Sequence, residues 1–347
     1  MRCLKKAGFA LVLITFMVML VLSGCGSNTS KATGDQVKTP AGTEKSVFKV
    51  GLLVPNTIND GGWSTEGYEG LKKLEKDMGV EGSYMEVKSP SDVVEGFTDY
   101  GNKGYNIVFG HSYDYQDAAK RVAPQFPKTI FITSGGTTIM DNVSPIYFQM
   151  EQAVYLMGVV AANWTKTGKV GAIGSTNMPA ITKTLKAFTQ GVKDTNPKVE
   201  VVTTYLGTQT DVGKGREAAL AMINSGVDFF WVSANAAGQG VYEAVEQNKS
   251  KGIKTFGAYS RASAKYPDTV VADAMLDMGN AFEMVAKQVK DGTWKPGTIN
   301  VGVKEDVVKF LWNEKMYPSI PQNVKDAFEK AKSDLTAGKI KIDIGAY

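Results

Sequence analysis

The sequence predicts an α/β protein made of two doubly wound, Rossmann-like parallel sheets. Two observations point there. Short apolar runs alternate with amphipathic segments of roughly 10 to 15 residues, the pattern of βαβ units in a parallel sheet. The alternation also restarts after Met150, so the same architecture is written twice. The 347 residues leave ample chain for two domains of ordinary size.

The elements follow in order. Residues 50–54 (Val-Gly-Leu-Leu-Val) read as a buried strand, and 65–78 repeat Tyr68, Leu71, Leu74 and Met78 near helical spacing, with Gly79 as the stop. Strands are expected at 84–87, 106–110, 129–133 and 146–150, with helices at 92–103 and 115–123. A helix of small and apolar residues, 151–163, opens the second half. Strands at 169–173, 199–205, 228–232, 254–258 and 269–274 then alternate with helices at 179–195, 211–225, 238–248 and 277–291. Residues 297–347 carry one Gly/Val-rich β segment and a charged helix, 322–337. Ligands of such open sheets bind beyond the carboxyl ends of the strands.

The N-terminus sets the compartment. Arg2, Lys5 and Lys6 precede an apolar run, 7–22, and then Leu22-Ser23-Gly24-Cys25. A positive start, a short apolar stretch and a small-residue cut site form a secretory signal. The run is short for a membrane span and lacks a charged flank. Cys after the cut resembles the lipobox of bacterial lipoproteins, which implies a signal at 1–24, acylation of Cys25, and anchoring at the extracytoplasmic face of the cell membrane. Residues 25–46, rich in Ser, Thr, Gly, Lys and Pro, read as a flexible tether.

Composition narrows the functions. Hydrophobic residues are 43%, charged residues 21%, and the net charge is +4 with signs interspersed, so no nucleic-acid surface is indicated. Of the two Cys, Cys3 goes with the signal and Cys25 would be acylated, which leaves no disulfide and no Cys metal site in the mature domain. A single His excludes the usual multi-histidine metal sites.

Several segments carry a family likeness. They include Thr57-Ile58-Asn59-Asp60-Gly61-Gly62-Trp63-Ser64, Gly104-Tyr105-Asn106-Ile107-Val108-Phe109-Gly110, Tyr155-Leu156-Met157-Gly158-Val159-Val160-Ala161-Ala162 and Thr165-Lys166-Thr167-Gly168-Lys169-Val170-Gly171. Asn196-Pro197-Lys198-Val199, Asp211-Val212-Gly213-Lys214-Gly215 and Gly238-Gln239-Gly240-Val241 continue it. In this order and spacing they resemble the basic membrane protein family, lipoprotein substrate-binding subunits of ABC transporters related to purine-nucleoside importers. The resemblance implies the type I periplasmic-binding-protein fold, with two lobes joined by three crossover strands. One lobe would comprise 47–149 with 274–300, the other 150–273 with 301–347. It also implies a small purine-like ligand, ABC permease and ATPase partners, a monomer, no cofactor and no catalysis.

The expected ligand contacts lie at strand ends. After the first strand come Asn59, Asp60, Trp63 and Ser64. The indole offers a flat face to a heterocycle, or packs as core; Asp60 touches ligand or closes an Asx-turn. His111 and Tyr113 follow the third strand, His111 as a ligand contact or a structural residue. Ser134, before Gly135-Gly136, presents amides to ligand or only turns the chain. The second half contributes Gln209, Asp211, Ser233, Asn235, Tyr259 and Asp273. Nucleoside-binding relatives place a stacking Phe at Gln209 and a ribose-binding Asp at Tyr259. Those departures favour a free base or another planar heterocycle over an intact nucleoside.

Other classes find less support. No nucleophile elbow, phosphate-loop spacing or paired catalytic carboxylates occur, so an enzyme is not expected. A sugar binder shares the fold but would carry more charged residues around hydroxyls. A surface receptor would expose an apolar patch.

Overall fold

The computed structural model describes residues 47–59, 63–259 and 261–345. The signal, Cys25, the tether and Asp60 lie outside the described residues.

The first half runs β1 (Lys49–Val54), α1 (Trp63–Met78), β2 (Glu81–Glu86), α2 (Pro90–Asn102), β3 (Ile107–Gly110), α3 (Gln116–Val122), β4 (Ile130–Ser134) and β5 (Val143–Phe148). The second runs α4 (Met150–Trp164), β6 (Lys169–Gly174), α5 (Pro179–Thr195), β7 (Glu200–Tyr205), α6 (Val212–Asn224), β8 (Phe229–Ser233), α7 (Gly238–Gln247), β9 (Lys254–Ala258), α8 (Ala262–Lys265) and β10 (Val270–Leu276). The chain then adds α9 (Met278–Lys290), β11 (Ile299–Val301), β12 (Val308–Trp312) and α10 (Gln322–Thr336).

Two six-stranded sheets result, ordered β11-β5-β4-β3-β1-β2 and β12-β10-β9-β8-β6-β7. Every pairing in the first sheet is parallel; in the second only β10–β12 is antiparallel. The α/β class and the presence of two mainly parallel sheets are therefore as expected. The chain passes between sheets three times, at α4, at α9 and between β11 and β12.

Local chemistry explains the elements. Central strands are apolar on both faces because helices cover both; β1 buries Val50, Leu52, Leu53 and Val54 completely. Edge strands β2 and β7 alternate toward solvent instead. Ser89 and Asp92 close a reciprocal capping box at the start of α2. Helices α4 and α5 cross at Gly158 and Gly191, where a Cβ on Gly191 would sit 2.1 Å from the Tyr155 carbonyl oxygen.

Two expectations need correction. β5 begins at Val143 rather than residue 146, since pairing with β4 starts there and Pro145 does not interrupt it. The single C-terminal β segment is two strands, β11 in the first sheet and β12 in the second. The turn between them reverses the chain, with Val307 and Val308 both donating to the Gly302 carbonyl and Asp306 at φ 55°.

Candidate functional site

In each sheet the strand order reverses between the first strand and the third, β1/β3 and β6/β8. A crevice opens beyond the carboxyl ends at such a reversal.

At the first sheet, Trp63 opens α1. The backbone N–H of Asn56 donates to Ser64 Oγ (3.1 Å) and Thr65 Oγ1 donates to the Ile58 carbonyl (2.8 Å), so the first turn of α1 pins the loop after β1. The Trp63 indole lies on the His111 imidazole, centroids 4.2 Å apart and planes 10° apart. Indole Nε1 donates to the His111 carbonyl and His111 Nε2 donates to the Trp63 carbonyl, both at 2.8 Å. A carbonyl only accepts, so Nε2 carries a proton, and Nδ1 lies 2.8 Å from Ser134 Oγ in a second hydrogen bond. Phe148 meets the indole edge-on at 6.1 Å. Trp63 stays partly exposed at the rim of this aromatic group.

At the second sheet, Asn235 Nδ2 donates to Gln209 Oε1 (2.9 Å), which ties the loops after β7 and β8 together. Tyr259 sits at φ 56° after β9, a backbone region costly to a bulky residue by about 1–3 kcal/mol and enriched at functional sites. Its ring is 37% exposed, yet crowding by protein pushes the phenol up to about 12, with the Glu151 and Glu66 carboxylates adding to the rise. Glu66 belongs to α1, the helix that follows β1 of the first sheet.

The segment joining the sheets carries a buried polar group. Tyr147 donates from its hydroxyl to Glu151 Oε1 (2.9 Å), Lys183 of α5 reaches Glu151 Oε2 (3.5 Å), and the Lys183 ammonium lies 4.4 Å from the Tyr147 ring centre. A cavity of about 410 Å³ is lined by Glu66, Glu69 and Lys73 of α1 together with Arg261, Met275 and Lys309. That volume suits a small organic ligand. Lys73 is raised to about 12 by its contacts with Asp77 and Glu283.

The expected contacts divide into two groups. Asn59, Tyr113, Gln209, Asp211, Asn235 and Tyr259 are exposed at the strand ends, and Trp63 is partly so. Asp211 also caps α6, accepting from the Lys214 N–H at 3.1 Å. Ser64, His111, Ser134, Ser233 and Asp273 are buried. His111 and Ser134 brace Trp63 from behind. Asp273 accepts from the N–H and hydroxyl of Ser263, holding α8 against β10; burial raises its pKa and the Ser263 bonds oppose that rise. In this conformation these buried groups organise the crevice from beneath. The cavity wall from α1, together with Lys309, was not foreseen; nor were Glu151, Lys183 and the Ser175-Thr176 pair after β6. A signal for the last pair existed, since the second half repeats the first and its leading strand should also border a crevice.

Two six-stranded sheets of matching strand order, each reversing beside its first strand, define a twice-repeated α/β protein. The chain belongs to the Bmp family, ABC transporter substrate-binding proteins of PnrA-like type, whose pattern matches residues 47–340. It is 28% identical to the ABC transporter nucleoside-binding protein BmpA of Lactococcus lactis, covering 98% of this chain and 99% of that one. It is 31% identical to the transcriptional activator protein Med of Bacillus subtilis (85% and 88% covered), and 29% to a purine-binding protein of Brucella abortus (84% and 82%). An ABC transporter solute-binding protein from Conexibacter woesei has the same fold, with TM-score 0.70, 23% identity and 85% and 98% covered.

Proposed function

We propose that this protein is a lipid-anchored, extracytoplasmic receptor of an ABC importer that captures a purine base or nucleoside-like solute and hands it to a permease. Acylated Cys25 holds it to the membrane, and the monomer works as a clamp. One lobe, residues 47–149 with 274–300, brings Asn59, Asp60, Trp63 and Tyr113. The other, residues 150–273 with 301–347, brings Gln209, Asp211, Asn235 and Tyr259.

The observation that carries the reading is the pre-set indole of Trp63. Its plane is already locked by His111 and it stays partly exposed at a strand end. Stacking of a base on such a ring is worth about 1–3 kcal/mol. Relatives described as nucleoside-binding and purine-binding support the ligand class. A closed form signals occupancy only if ligand binds it more tightly than the open form.

The test is calorimetric titration of the full chain, purified in detergent, with adenine, hypoxanthine, guanine, inosine and ribose. Binding of a purine with no heat from ribose is expected. Heat from ribose alone would transfer the protein to the sugar binders. Mass spectrometry of the membrane-extracted N-terminus should find diacylglyceryl on Cys25, and Cys25→Ala should release the protein from the membrane.

A further inference from the structure

We propose that Ser175 and Thr176 form a donor subsite that reads a carbonyl on the captured ring, so that an oxo-substituted heterocycle is taken in preference to an amino-substituted one. This rests on the reading of the chain as a binder of purine-like solutes.

Both residues follow β6 directly, at the carboxyl end of the strand where the second sheet's order reverses. Their place after β6 is that of Pro55 and Asn56 after β1, in the loop that leads to Trp63. The Ser175 backbone is pinned on two sides. Its N–H donates to the Ser233 carbonyl (2.9 Å) and its carbonyl accepts from the Thr208 N–H (3.2 Å). The residue is 0% exposed. Yet Ser175 Oγ and Thr176 Oγ1 are both buried with no hydrogen-bond partner. Native interiors rarely leave a hydroxyl unsatisfied, and each exception calls for a reason. Two neighbouring exceptions at a ligand crevice point to a partner that arrives with the ligand.

A hydroxyl both donates and accepts, so its surroundings decide the sense. The same loop leads into α5, whose N-cap residue is Met178, with no side-chain cap bond. The positive end of the α5 dipole is therefore not offset by a capping oxygen there. That field favours a ligand atom bearing partial negative charge, and the two hydroxyls then donate to it. A ring carbonyl meets this condition; an exocyclic amine, itself a donor, does not.

The test pairs two probes on the full chain, hypoxanthine and adenine, which differ by carbonyl against amine at one ring position. Titration calorimetry should show wild type favouring hypoxanthine, and Ser175→Ala and Thr176→Val should each lower hypoxanthine affinity about tenfold while leaving adenine little changed. Without ligand, Ser175→Ala should melt higher than wild type, because an unsatisfied buried hydroxyl is gone. Wild type favouring adenine, or both variants keeping the hypoxanthine preference, overturns the subsite and leaves purine binding intact. A ligand-free melting temperature that is unchanged or lower in Ser175→Ala shows the hydroxyl bonded within the fold and also overturns it. Failure of wild type to bind either probe removes the purine reading and this subsite together.

Discussion

The indole of Trp63 and the imidazole of His111 each bond to the other's backbone carbonyl, so each ring must break its own bond to turn. A ligand that stacks there meets a wall already in place, with little side-chain entropy left to lose. Trp63→Ala should therefore cut purine affinity at least about tenfold by titration calorimetry; unchanged binding would remove Trp63 from the site. Gly67 tests the support behind it. A Cβ at that position would lie 2.6 Å from His111 Cδ2, so Gly67→Ala must displace the imidazole. It should lower the melting temperature and weaken ligand binding together, whereas a loss of stability alone would separate His111 from the site. The amino-acid sequence placed Trp63 and His111 at strand ends and left both roles of each open. What it lacked was direction. Asp273 and Ser64 are polar and close to the right strand ends, yet they point inward, and only the packed backbone decides which way a side chain faces.

Among the elements, α4 and α5 pack backbone to backbone, because Gly158 and Gly191 let them touch. Gly191→Ala should cost about 1–3 kcal/mol, seen as a lower melting temperature in calorimetry, with the far side of α5 tolerant of the same change. Where the chain leaves the first sheet, Lys183 is the cation for a nearly buried Glu151. Lys183→Met should cost about 3–5 kcal/mol by stranding that carboxylate, and adding Glu151→Gln should recover much of it; independent, additive effects in denaturant titrations would contradict the coupling. Burial also raises phenols on several elements. Tyr100 of α2 is pushed up to about 12 from the ordinary value near 10, and Tyr242 of α7 is raised too. A folded state that holds protons more tightly keeps its full advantage below pH ~10 and loses it as pH climbs toward 12. The melting temperature should fall across that window, with phenolate absorbance developing later than in the unfolded chain. At this scale the reading from sequence was strong. Helix α5 and strand β9 came out with their observed limits, since period and punctuation are local properties. β11 and β12 did not separate because three- and five-residue strands carry too little periodicity, and their sheets are chosen by partners far away in the chain.

For the whole molecule, the proposed clamp makes a global prediction. Small-angle scattering should show a smaller radius of gyration on adding a saturating purine, and Trp63→Ala should need more ligand to reach the same compaction. A radius indifferent to a ligand that calorimetry shows bound would exclude hinge closure. The two-sheet plan was readable because the alternation occurs twice. The strand order was not, since pairing across a sheet is a long-range choice. That choice has a cost during synthesis. The outer strand β11 of the first sheet and the outer strand β12 of the second are both encoded beyond residue 298. A nascent chain that has delivered the first 150 residues thus holds a sheet whose β5 border still awaits its neighbour. Neither half can be finished until nearly the last helix has emerged, so a truncated product would leave two raw edges, and an export route that keeps the polypeptide unfolded until it is whole would suit this architecture best.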